Sequence, residues 1–67
     1  MDEKRFAATM EHIVAALQER GYDPYSQLLG YVKIKEPTYI TSHKNARELI
    51  QTLDFDAVER YVDNMKK

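Results

Sequence analysis

This 67-residue sequence contains no cysteine, no tryptophan, only two glycines and two prolines, and no long apolar run. Without cysteine there is no disulfide to staple a small core and no thiolate to attack a substrate or bind zinc. Two histidines, His12 and His43, do not by themselves make a metal site, so neither a metal nor a cofactor is expected. An excess of one charge sign is also missing: ten Lys and Arg oppose eleven Asp and Glu, for a net charge of −1. Binding through nucleic-acid phosphates normally calls for a basic excess or stripe, so nucleic acid is not an expected partner. No stretch approaches the ~20 apolar residues of a membrane span. Met1-Asp2-Glu3-Lys4-Arg5 leads into no apolar segment of the secretory kind, and a cytoplasmic location is expected.

Length sets the next bound. Residues 1–67 suffice for one helical domain at most. A chain near this size buries only about 60% of the surface it exposes when unfolded. Its core rarely supplies more than roughly 3–5 kcal/mol without reinforcement. With disulfides excluded and a metal not expected, a second subunit is the remaining reinforcement, so self-association is a live option.

Apolar spacing predicts an all-α protein, a compact bundle of about four short helices. Phe6, Met10, Ile13, Val14 and Leu17 share one face of a helix over 3–20. Acidic Asp2 and Glu3 suit its start, Arg20 its end, and Gly21 a left-handed cap. Ala7, Ala8, Ala15 and Ala16 add helix propensity without bulk. Asp23 and Pro24 open a second helix over 24–33, with Tyr25, Leu28, Leu29 and Val32 on its face. Gly30 costs about 1 kcal/mol inside a helix, which a close packing contact at that point would explain. Alternatively, Val32–Ile34 is extended. Glu36-Pro37 ends the element. Thr38–Thr41 has no partner strand and reads as an extended loop laid over the helices. Thr41 or Ser42 caps a third helix over 43–53, with Ala46, Leu49, Ile50 and Leu53 inward. Asp54 caps a fourth over 55–65, lined by Phe55, Val58, Tyr61, Val62 and Met65, with Leu53 and Val58 at hydrophobic-staple spacing.

Convergent chemistry is sparse. There is no GxSxG elbow, no HExxH and no P-loop, so no catalytic residue is assigned and the protein is not expected to be an enzyme. Glu11-His12 resembles half a zinc-protease motif, but Ala15 and Ala16 stand where the second histidine belongs; His12 reads as a helix-flank residue. Five tyrosines stand out, four of them between residues 22 and 39. Half-apolar and half-polar, they suit either the edge of a small core or a contact surface.

The ordered run Gly21-Tyr22-Asp23-Pro24, Gln27, Gly30-Tyr31, Pro37, Tyr39-Ile40, His43-Lys44-Asn45-Ala46-Arg47 and Ile50 resembles the IreB/ReoM family, also grouped as UPF0297. The resemblance implies a small non-enzymatic helical regulator of Gram-positive bacteria that forms homodimers. It further implies a substrate of membrane PASTA-domain Ser/Thr kinases and the matching phosphatase. Such regulators act in cell-wall synthesis and antibiotic tolerance, partly by governing proteolysis of a peptidoglycan-precursor enzyme. Departures are visible. Asp23 replaces Asn, Lys35-Glu36 replaces Gly-Asp, and Leu53-Asp54-Phe55-Asp56 lacks the family's basic run. The family's phosphorylated threonines lie in an extension ahead of the first helix, whereas this chain begins almost at that helix. The only early threonine, Thr9, falls within it. No phosphosite is carried over, and a short paralogue without the kinase switch is expected.

The leading expectation is therefore a regulatory adaptor that binds a cytosolic protein through Tyr39, His43, Lys44 and Arg47. Arg47 has two readings: a carboxylate contact for a partner, or a pin bonding the carbonyls of the 36–42 loop. The alternative function is a small helical nucleic-acid-binding domain. Helix three is a poor recognition helix for it, since Glu48 follows Lys44 and Arg47. A tiny enzyme would need a site shared between subunits.

Overall fold

Local chemistry sets most helix ends in the computed structural model, which describes residues 3–65. The first helix, α1 (Glu3–Glu19), stops where Gly21 turns left-handed at φ +82°. The Gly21 N–H donates to the Gln18 carbonyl and the Tyr22 N–H to the Leu17 carbonyl, each at 3.0 Å, which is a Schellman closure. In α2 (Pro24–Ile34), Pro24 fills the first position and Asp23 Oδ2 accepts from the Ser26 N–H at 3.2 Å and the Ser26 hydroxyl at 2.8 Å. The helix runs through Val32–Ile34, which settles that segment as helical. Asp54 caps α4 (Phe55–Met65) by accepting from the Ala57 N–H at 3.1 Å. Asp2 and Lys66–Lys67 lie outside the described residues.

One helix starts later than its pattern predicts. Residues 43–53 were expected to form one helix, but α3 is Ala46–Gln51, preceded by a 3₁₀ turn at His43–Asn45. Lys44 and Asn45 are both left-handed, at φ +51° and +64°, so the path kinks before Ala46. Neither Thr41 nor Ser42 caps α3, whose N-cap is Asn45 with no side-chain bond; Thr41 Oγ1 instead accepts from the His43 N–H at 3.2 Å ahead of the turn. A second 3₁₀ turn, Pro37–Tyr39, occupies part of the expected extended loop.

All four helices meet in one core, and no strand occurs among the described residues. Met10, Ile13, Ala16 and Leu17 of α1, Leu28 and Tyr31 of α2, Ala46 and Ile50 of α3, and Val58 and Val62 of α4 are buried. Ala16 is thus a core residue as well as a helix former. The most extensive pairings are α1 with α3 and α2 with α4. The Cα radius of gyration, 10.6 Å, matches the ~11 Å of a compact chain of this length.

Two features tie the 36–42 loop down. Ile40 is wholly buried although it belongs to no helix. Tyr39 lies across Gly30: a Cβ built there would come 2.7 Å from the Tyr39 hydroxyl oxygen and closer still to ring carbons Cε1 and Cζ. That is the close contact that Gly30's place inside a helix called for. The tyrosines divide accordingly. Tyr31 is buried against Phe55, with ring centroids 5.7 Å apart, and Tyr61 meets Phe6 edge-on at 6.1 Å. Tyr22 and Tyr39 keep 42% of their surface exposed.

Lys35 closes α2 in the left-handed conformation, φ +61°, its N–H donating to the Tyr31 carbonyl at 2.7 Å. A non-glycine residue there costs about 1–2 kcal/mol. Its ammonium lies 5.6 Å from the Phe55 ring centroid, a cation–π contact that offsets part of that cost.

Candidate functional site

Tyr39, His43, Lys44 and Arg47 lie on one continuous segment, but their side chains engage three different parts of the molecule. Tyr39 rests on α2 at Gly30. His43 and Lys44 turn toward the end of α1. There Lys44 Nζ donates to Glu19 Oε2 at 2.7 Å, and His43 Nε2 lies 3.3 Å from Glu19 Oε1. Arg47 turns back along its own segment, Nε donating to the Ile40 carbonyl at 2.9 Å. The expected pin therefore exists, and it bonds the backbone of the one fully buried residue in the loop.

His12 also takes part, although sequence spacing marked it only as a helix flank. Its Nε2 lies 3.0 Å from the Lys44 carbonyl oxygen, so the imidazole donates there. His12 and Glu19 are seven residues apart, two turns along one side of α1. Together they hold the left-handed 43–45 turn from both sides: His12 by a backbone carbonyl, Glu19 by two side chains. Helical periodicity places both residues beside the apolar stripe, but a contact with a turn more than 20 residues later leaves no local mark.

The latch that Glu19 forms with Lys44 and His43 has a pH signature. Its hydrogen bonds from Lys44 and then His43 hold the Glu19 carboxyl below the ordinary value of 4.5. The folded chain therefore binds that proton more weakly than the unfolded chain. The latch's stabilisation is complete above the ordinary carboxylate pKa and disappears as pH falls through the lowered folded value. Wild type is expected to melt slightly higher than Glu19→Gln at neutral pH, with the gap closing in acid below the carboxylate range. Paired thermal melts across that window test this. A gap that widens in acid would contradict it. Burial raises the Tyr31 phenol above its ordinary value of 10.0.

Thr9 sits in mid-α1, half-buried, its hydroxyl donating to the Arg5 carbonyl at 2.9 Å. A kinase must draw its target into an extended form, and opening α1 there exposes Met10 and Ile13, both wholly buried. Thr9 is expected to accept little phosphate while the fold is intact. Phosphopeptide mass spectrometry after treatment with a PASTA-type kinase checks this, and stoichiometric Thr9 phosphate on a folded sample would refute it.

Elsewhere, an open groove between α1 and α4 is floored by Phe6 and Tyr61 and edged by Glu3, Asp54 and Arg60. Among the described residues, no three His, Asp or Glu side chains gather in a way that could hold a metal ion. No helix among them is long and apolar enough to cross a membrane.

Comparison with known proteins adds a family. The sequence pattern described as IreB regulatory phosphoprotein matches residues 1–64. A UPF0297 protein of Lachnoclostridium phytofermentans is 42% identical over 60 residues, which covers 82% of this chain and 68% of that protein. A UPF0297 protein of Ruminiclostridium cellulolyticum is 49% identical over 41 residues, covering 61% of this chain and 47% of its own length. A third, from Clostridioides difficile, is 42% identical over 50 residues, covering 75% and 59%. The matched region thus amounts to about half to two thirds of each relative's length.

Proposed function

Because this chain belongs to the IreB regulatory phosphoprotein family, we propose that it is a non-enzymatic adaptor that binds a cytosolic protein through the 39–47 segment. The observation that carries this reading is the segment itself. It is held in a strained shape, with Lys44 and Asn45 left-handed, by contacts from α1. Strain of this kind concentrates at working surfaces. Tyr39, 42% exposed, lies at one end, and half-buried Arg47 lies at the other.

The finer parts of the proposal follow the resemblance. The chain acts in the cytoplasm of a Gram-positive bacterium as a homodimer, in control of cell-wall synthesis and antibiotic tolerance downstream of a PASTA Ser/Thr kinase and its phosphatase. Sedimentation at high micromolar concentration tests the dimer, and a clean monomer would remove it. The adaptor reading is tested by affinity capture from a Gram-positive lysate with wild type and Tyr39→Ala as baits. Wild type is expected to retain a specific protein that Tyr39→Ala loses while remaining helical by circular dichroism. Equal retention by both baits would overturn the assignment of this surface.

A further inference from the structure

Glu19 is gripped in an informative way. His43 Nε2 approaches one carboxylate oxygen and Lys44 Nζ the other, so two donors divide a single carboxylate between them. That is the geometry of a carboxylate-binding seat. The donors are adjacent in sequence yet reach the same group because the left-handed Lys44 redirects the chain, and His12 fixes that turn through the Lys44 carbonyl. The seat is also open: the side chains of Glu19 and Lys44 are 47% and 49% exposed, and that of His43 is 31% exposed. Exposed ion pairs are weakly held, so this occupant exchanges readily. Net charge does not dictate the site, since the whole chain carries −1.

We propose that Lys44 and His43 form a carboxylate seat, filled by Glu19 in the free chain and by an acidic segment of the protein partner in the complex. Glu19 is then an internal competitor that releases the two donors when the partner arrives. The proposal rests on the adaptor reading above and names the chemistry of the partner.

The probe is a capped peptide of consecutive glutamates, titrated into isotope-labelled protein and followed by NMR, with the glutamine peptide as control. The same spectra report whether each variant is folded. Glu19→Gln is expected to bind the glutamate peptide up to about fivefold more tightly than wild type. Adding Lys44→Gln should reduce binding to the level of the glutamine peptide. Glu11→Gln makes the same charge change elsewhere on exposed α1 and should leave affinity unchanged. Glu19→Gln binding no more tightly than wild type, or Glu11→Gln matching its gain, overturns the seat. Peptide binding reads the seat alone, and capture with the Tyr39→Ala bait reads the adaptor role, so the two fail separately.

Discussion

Ile40→Ala is expected to lower stability by about 2–5 kcal/mol, the range for truncating a buried isoleucine or leucine. Ile40 has no exposed surface, yet it is held by a loop, so its burial depends on the loop's position. A small unreinforced core supplies roughly 3–5 kcal/mol in total. The expected loss is therefore comparable to the whole, and a measurable unfolded fraction should appear even without denaturant. Ile34 provides the contrast: it is equally apolar but 56% exposed, and Ile34→Ala should change stability by no more than about 0.5 kcal/mol. Urea unfolding followed by circular dichroism measures both. A loss below about 1 kcal/mol for Ile40→Ala would mean that the loop is a covering rather than part of the core.

Ile40 also shows how far the sequence could be read. The helices were legible because each carries its own punctuation within a few residues: Gly21 for the end of α1, Asp23-Pro24 for the start of α2, Asp54 for the start of α4. Packing of the 36–42 loop over the helices was legible too, because four β-branched and aromatic residues without a partner strand have no other use. Gly30 signalled that something lies against it, though not that the something is Tyr39. The kink at Lys44–Asn45 was not legible. Lysine has no preference for the left-handed region, and the apolar pattern of Ala46, Leu49 and Ile50 reads as well for a helix begun at residue 43. The kink is met by a pair of side chains on α1, His12 and Glu19, and long-range contacts of this kind are invisible to local pattern. The candidate surface was thus named as a stretch of sequence; among its internal contacts, the Arg47 pin on a loop carbonyl was foreseen and those with His12 and Glu19 were not.

Arg47 joins the structural and the functional readings, and its two roles are compatible. Only Nε is used by the Ile40 carbonyl; neither terminal nitrogen of the guanidinium has a hydrogen bond among the described residues. The planar fork can therefore hold the loop with one edge and offer its end to a partner's carboxylate with two parallel bonds. Arg47→Ala removes a charged donor from the backbone of a buried residue and is expected to cost about 1.5–3 kcal/mol. Arg47→Lys keeps the charge but has no donor at the Nε position, so it should lose most of the same stability. The loop then links this variant to Ile40. Both residues hold one short segment, so combining Arg47→Ala with Ile40→Val should destabilise by less than the sum of the single changes, because a loop already released has less to lose. Urea unfolding of the two single variants and the double measures that coupling. Capture of the proposed partner, carried out where each variant remains folded, reads the terminal nitrogens separately. Arg47→Ala melting like wild type would show that the Nε bond does not hold the loop. A folded Arg47→Ala that still retains the partner as wild type does would remove Arg47 from the contact surface.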